Sequence, residues 1–361
     1  MKPTQELHDL GQSLWLDNIT RTMLDDGTIK HFIDDLSVTG LTSNPTIFDK
    51  AISGSDAYDD QIAECQEQGL EPEETFFELA IADLRRATDL FAEEHKRTGG
   101  MDGYCSLEVS PLLAYDTGKT TEQAARLHTT AERENLYIKI PGTKEGNPAI
   151  EESIFAGIPI NVTLLFDHQH YLACADSFMR GIERRIEAGL DPSVTSVASV
   201  FISRWDVAVA DEIPDELKNT LGIAIGVQAY AAYRELLDSE RWQKLESEGA
   251  RPQRLLFAST GTKDPEAPDT LYIEAFAAPN TINTMPDKTL LAFDDHGKVG
   301  EPLPADGGDA EEVIAAFADA GVDAKELAAR LQKEGAEAFV KSWNDLLGTI
   351  ESERERLSAA G

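Results

Sequence analysis

The chain has 361 residues, and 66 acidic against 32 basic side chains give it a net charge of −34. That field repels phosphate backbones and anionic lipid, so no nucleic-acid or membrane partner is expected, and an anionic substrate would need a local basic patch. Hydrophobic content of 41% supports a sizeable core, no apolar run is long enough to span a bilayer, and the start Met1-Lys2-Pro3-Thr4-Gln5-Glu6 lacks a secretion signal's apolar stretch, so a cytoplasmic protein is expected.

The length suits two average domains or one large α/β barrel with insertions. The order of elements favours the barrel. After a short helix over 4–12, Ser13 to Ile19 reads as a first strand. Thr22 to Leu36 is an amphipathic helix broken near Gly27. Val38 to Pro45 is the second strand, ended by its proline. A helical insertion follows, with a long amphipathic stretch from Glu73 to Lys96. Tyr104 to Ser110 is the third strand and Lys119 to Arg133 a helix. Asn135 to Pro141 and Ile158 to Phe166 are strands four and five, with a short helix around Ala149–Phe155 between them. Helix Asp167–Ala188 leads to strand six, Ser196 to Ser203, and a long helix through Tyr230–Leu237 to strand seven, Arg254 to Thr260. Thr270 to Phe276 is read as strand eight. Eight strands separated by helices predict a single (β/α)8 TIM-barrel domain over 1–361, with strands from 13 to 276. Acidic helices from about 307 to 360 should pack on its outside or over its mouth.

Lys139 is the sharpest oddity. In an apolar strand its ammonium must be hidden, and burial disfavours the charged form, which would leave a free amine as a nucleophile. The alternative is a strand-end lysine whose stem is buried and whose head reaches water. Its neighbours decide between these. Side chains alternate along a strand, which puts Tyr137 with Lys139, Ser106 with Glu108 and Ser110, Thr42 with Asn44, Asn161 with Thr163, and Ser199 with Phe201 and Ser203. Val162 and Leu164 take the opposite face of strand five. The polar set lies toward the C-terminal strand ends, where barrel active sites sit. An amine, two carboxylates (Asp17 and Glu108), two carboxamides and several hydroxyls exceed what one structural lysine needs. They suit carbonyl condensation, in which an imine on Lys139 is the electron sink and carboxylates move protons. Arg204, just past strand six, is the leading phosphate anchor; the alternative is a surface arginine paired with Asp206.

At these positions the sequence resembles the transaldolases. Ser13-Leu14-Trp15-Leu16-Asp17, Gly40-Leu41-Thr42-Ser43-Asn44-Pro45-Thr46-Ile47-Phe48, Ser106-Leu107-Glu108-Val109, Ile138-Lys139-Ile140-Pro141 and Ile160-Asn161-Val162-Thr163-Leu164-Leu165-Phe166 look like that family's successive motifs, and the match covers most of the chain. The resemblance implies a metal-independent, cofactor-free transferase of the pentose phosphate pathway, acting on phosphorylated sugars as a monomer or homodimer. It would move a dihydroxyacetone unit from sedoheptulose 7-phosphate to glyceraldehyde 3-phosphate. It further implies that Lys139 forms the Schiff base and that Asp17, Glu108 and Thr163 hold the proton-transfer network. Asn44 and Asn161 would bind the sugar, Ser199 and Arg204 its phosphate, with Phe201 beside the lysine. Many transaldolases carry an arginine shortly after strand seven as a second phosphate ligand. Here Ser259-Thr260-Gly261-Thr262-Lys263 leaves Lys263 as its substitute, without the fork geometry. The wording resembles the longer subfamily with extra helical segments.

Other signals are weaker. His168-Gln169-His170 could chelate, but at a helix start the two rings diverge and no third ligand is near. Gly142-Thr143-Lys144-Glu145-Gly146 fails the phosphate-loop spacing and reads as a turn opening a helix. Cys65, Cys105 and Cys174 form no CxxC and read as reduced packing residues. Thr281-Ile282-Asn283-Thr284-Met285-Pro286, placed after strand eight, could contact substrate or cap a helix.

Overall fold

The computed structural model describes residues 1–360. Eight parallel strands close in sequence order into a barrel. They are β1 (Ser13–Leu16), β2 (Val38–Leu41), β3 (Cys105–Glu108), β4 (Leu136–Pro141), β5 (Ile160–Leu165), β6 (Ser196–Phe201), β7 (Gln253–Ala258) and β8 (Ile282–Met285). Helices fill the connections, and two more follow β8 before the C-terminal helix, Ala324–Ala360.

Alternation divides each strand between two cores. Leu14, Leu16, Leu107, Ile138, Ile140, Val162, Val200 and Phe257 face the helix layer. Trp15, Tyr137, Val197, Leu256 and Ile282 fill the barrel. Gly40 on β2 makes room for this filling, since a Cβ there would lie 2.6 Å from the Trp15 indole and from the Tyr104 carbonyl oxygen. At the N-terminal end, the buried Arg254 donates to Ser13 Oγ at 2.6 Å and to the Thr281 carbonyl at 3.0 Å. The Asp102 carboxylate is 3.7 Å from that guanidinium and accepts from Trp15 Nε1 at 2.9 Å. Polar groups therefore pair off at the floor, and the apolar filling above them leaves the C-terminal rim for chemistry.

Three sequence expectations are corrected. Residues 270–276 are not strand eight: they hold a short helix, Leu271–Ala275. There Tyr272 Oη donates to Asp206 at 2.7 Å and Phe276 stacks on Phe257 at 4.5 Å, so these aromatics pack the layer outside the barrel. The eighth strand is Ile282–Met285, within the segment expected to follow it, and it closes the barrel on β1. The strands thus run from 13 to 285 rather than 276. In β5 the alternation breaks at Leu164, whose φ is +60°. The β5–β6 register shifts between Val162 and Leu165. This bulge turns Leu164 into the barrel-side cluster instead of the helix face. The expected helix over 73–96 is divided at Phe91 into Pro72–Leu90 and Ala92–Arg97.

The C-terminal helix both flanks the barrel and reaches over its rim. Its outer half is anchored by Trp343, fully buried, whose ring meets Phe76 edge-on at 5.1 Å and Phe77 at 5.7 Å. Phe76 and Phe77 belong to the helical insertion, so two elements outside the barrel brace each other. No helix among the described residues is long and apolar enough to cross a membrane. Trp343→Ala should cost about 3–5 kcal/mol, read as a lowered denaturant midpoint by circular dichroism; a loss under about 1 kcal/mol would show that the helix is held elsewhere.

Candidate active site

The register of β3, β4 and β5 places Glu108 opposite Lys139 and Lys139 opposite Asn161. Three polar side chains from consecutive strands thus stand in one row inside the barrel. Lys139 is 6% exposed, and its ammonium donates to Glu108 Oε2 at 3.3 Å and to the Ser43 carbonyl oxygen at 3.0 Å. The head is bonded to protein groups inside the barrel rather than extended from a strand end. Ser43 is held for this role by its own hydroxyl, which donates to the Ser106 carbonyl at 2.7 Å.

Burial weakens the acidity of Glu108, and the neighbouring Lys139 ammonium only partly offsets it. Asp17, just beyond β1 and partly buried, behaves alike: burial outweighs the pull of Lys139, Thr42 and Lys263. Thr42 Oγ1 donates to Asp17 Oδ1 at 2.8 Å and lies 2.8 Å from Thr284 Oγ1. The sequence left Thr284 open, as a substrate contact or part of a helix cap, because β8 was misplaced; an alternation count begun at Ile282 puts it inside the barrel. Two buried atoms in this set have no partner within the protein, Glu108 Oε1 and Thr163 Oγ1. Both therefore keep bonding capacity that the protein itself does not use.

In the same row, Asn161 donates through Nδ2 to Ser106 Oγ at 3.1 Å and accepts at Oδ1 from Ser199 Oγ at 2.7 Å. The expectation grouped Ser199 with the phosphate anchor, whereas its proton is engaged by Asn161. Asn44 caps the helix Pro45–Ser53 by accepting from Ile47 N at 3.1 Å through Oδ1, which leaves its Nδ2 free to donate. Phe201 touches Phe166 at a ring distance of 5.4 Å and lies under Arg204 at 5.2 Å.

Arg204 does not pair with Asp206. The Asp206 carboxylate is buried and accepts from Leu221 N at 3.0 Å and from Tyr272 Oη at 2.7 Å. Arg204 is instead a mostly buried guanidinium whose acidity is shifted by burial alone, with no carboxylate pulling the other way. It lines a cavity of about 630 Å³ together with Ser203, Ser259 and Lys263. The Lys263 ammonium is exposed, so the structure brings both cations to one opening.

The set-aside motifs resolve as turns and caps. His168 Nδ1 contacts Gln228 Oε1 at 2.7 Å while His170 Nδ1 accepts from Phe166 N at 3.2 Å, so the two rings have separate partners. Thr143 Oγ1 donates to the Ala114 carbonyl at 2.6 Å and accepts from Gly146 N, opening the helix at Gly146. The three cysteines are free and buried. Among the described residues no group of three or more His, Cys, Asp or Glu is placed to hold a metal.

Comparison with known proteins agrees with this geometry. Residues 14–350 match the family model described as transaldolase/fructose-6-phosphate aldolase. A transaldolase of Frankia alni is 43% identical, with 99% of each chain covered. One from Thermobifida fusca is 43% identical over 96% of this chain and 97% of its own. The transaldolase 2 of Streptomyces coelicolor is 41% identical over 98% of both. The chain therefore belongs to the transaldolase/fructose-6-phosphate aldolase family.

Proposed function

We propose that the protein is a transaldolase that carries a dihydroxyacetone unit from sedoheptulose 7-phosphate to glyceraldehyde 3-phosphate, releasing erythrose 4-phosphate and forming fructose 6-phosphate, through an imine on Lys139. The observation that carries the reading is the buried Lys139 amine, bonded to the Glu108 carboxylate and the Ser43 carbonyl and standing in register with Asn161.

The amine must first lose its proton, and Glu108, 3.3 Å away, is placed to take it. The nitrogen then adds to the ketose carbonyl, and loss of water gives the imine. A carboxylate removes the proton of the C4 hydroxyl, the C3–C4 bond breaks, and its electron pair is held as an enamine on Lys139. The aldose leaves as the aldehyde. The enamine carbon attacks the acceptor aldehyde, the new alkoxide takes the proton back, and water hydrolyses the imine. Glu108 and Asp17 suit this exchange because a carboxyl with raised pKa both holds and yields a proton nearer neutrality. The free Nδ2 of Asn44 and the fixed carboxamide of Asn161 would orient sugar hydroxyls. Arg204, with Lys263 beside it, would bind the phosphate. The electron sink is organic throughout, so the scheme draws on no metal or cofactor.

Family membership spans a transferase and a lyase, and one assay separates them. Fructose 6-phosphate with erythrose 4-phosphate should give sedoheptulose 7-phosphate and glyceraldehyde 3-phosphate, while free dihydroxyacetone without acceptor should form at least tenfold more slowly, a gap of roughly 1.4 kcal/mol in barrier. Equal rates would contradict the transferase reading. Arg204→Ala should raise KM for fructose 6-phosphate by about a hundredfold, the loss of a charge-assisted fork of ~3 kcal/mol, with a smaller change in kcat.

The raised pKa of Asp17 also fixes a sign for stability. A carboxyl that holds its proton more tightly when folded stabilises the fold at low pH, and this contribution is lost as pH rises through its folded pKa. Asp17→Asn should therefore lower activity yet raise the neutral-pH melting temperature and flatten its decline toward higher pH. A variant that melts lower than wild type at pH 7 would contradict the assignment.

A further inference from the structure

The C-terminal helix offers more than a cover. Gln332, Gly335 and Phe339 recur at helical spacing on one face, and that face meets the barrel rim. Gln332 Nε2 donates to the carbonyl oxygens of Gly142 at 3.1 Å and Leu164 at 3.0 Å. These are the chain ends just beyond Lys139 on β4 and Thr163 on β5, and Leu164 is the bulged residue. Gly335 allows the close approach: a Cβ there would lie 3.0 Å from Leu164 Cδ2 and 3.4 Å from Arg204 Nη1. A glycine inside a helix costs about 1 kcal/mol relative to alanine, and this contact is where its missing side chain matters.

Phe339 then meets the guanidinium. Its ring centroid is 5.9 Å from Arg204 Cζ, that of Phe201 is 5.2 Å away, and the two rings are 6.4 Å apart and inclined by 56°. Arg204 thus caps a pair of tilted rings. Ring faces attract a cation without consuming its N–H donors or cancelling its charge, so the fork stays available to a phosphate. A carboxylate in the same place would do both. In a chain of net charge −34, a neutral cradle for the anchor has a clear electrostatic value. The same helix supplies Leu331, Glu334 and Ala338 to the cavity that Arg204 and Lys263 line.

We propose that the C-terminal helix forms one wall of the active site, clasped to the β4 and β5 ends by Gln332, and that Phe339 is a positioning residue that holds Arg204 toward the phosphate of the sugar. This rests on the reading of Arg204 as phosphate anchor. Phe339 acts through Arg204, so its loss should weaken recognition of phosphorylated over unphosphorylated sugars more than it slows the chemistry.

The test uses the full chain with Phe339→Leu, Phe339→Tyr and Arg204→Ala, and titrates glucitol 6-phosphate, which has the phosphate but no carbonyl and so forms no imine. Calorimetry should show binding that Arg204→Ala removes. Phe339→Leu should weaken it about fivefold, and Phe339→Tyr, which keeps the ring, should stay within about twofold of wild type. In turnover of fructose 6-phosphate with unphosphorylated glyceraldehyde as acceptor, Phe339→Leu should raise KM by more than it lowers kcat. Wild-type affinity in Phe339→Leu, equal weakening by Leu and Tyr, or wild-type binding that ignores Arg204 would overturn the proposal. The expected binding pattern in a protein that transfers no dihydroxyacetone unit would uphold the wall and the cradle and refute the transaldolase reading instead.

Discussion

The structure depends on an ammonium kept inside a barrel. A buried charge survives only with partners close enough to replace its water, and Lys139 finds them on two other strands, Glu108 on β3 and the Ser43 carbonyl beyond β2. That requirement ties the register of β3 against β4 and needs β2 beside them. Asp17 and Glu108 add a second constraint. Burial raises the pKa of both carboxyls, and the Lys139 ammonium only partly offsets it. A site held in this state is primed to pass protons, at some expense in stability at neutral pH.

Around that centre the protein separates its polar functions by depth. The floor of the barrel satisfies its own charge through Arg254, Asp102 and Ser13. The aromatic layer above it, with Trp15 against Gly40, keeps that pairing apart from the rim. At the rim, Asn161 is braced between Ser106 and Ser199, and beyond it Arg204 is held by aromatic rings rather than by a carboxylate. Rigid orientation is thus given to the groups nearest the proposed bond-breaking, and an aromatic-held guanidinium to the opening, which Lys263 and Glu334 also line.

Much of this is legible in the chain because a strand has period two. Lys139 with Tyr137, Glu108 with Ser106, and Ser199 with Phe201 all face inward as alternation requires. Where the rule failed, tertiary structure overrode a local pattern. Thr270–Phe276 has the aromatic and β-branched content of a strand, yet Tyr272 and Phe276 are drawn to Asp206 and Phe257 outside the barrel. The true β8 carries Asn283 and Thr284, which disguise it as a loop. Leu164 escapes the alternation through a left-handed backbone, and its carbonyl is bonded by Gln332, a residue far along the chain. Arg204 stood out as a cation past β6, but its cradle depends on Phe339, whose place over the rim is set by how Trp343 docks the helix. Helical spacing reveals that such a face exists; only packing shows what it meets.

The central claim is that the buried amine of Lys139 becomes covalently bound to the three-carbon unit. Borohydride reduction of the protein in the presence of fructose 6-phosphate, followed by peptide mass analysis, tests it directly. A stable adduct carrying the reduced dihydroxyacetone unit on the peptide containing Lys139, absent from Lys139→Ala, is the predicted result; no adduct, or one on another lysine, would contradict the account.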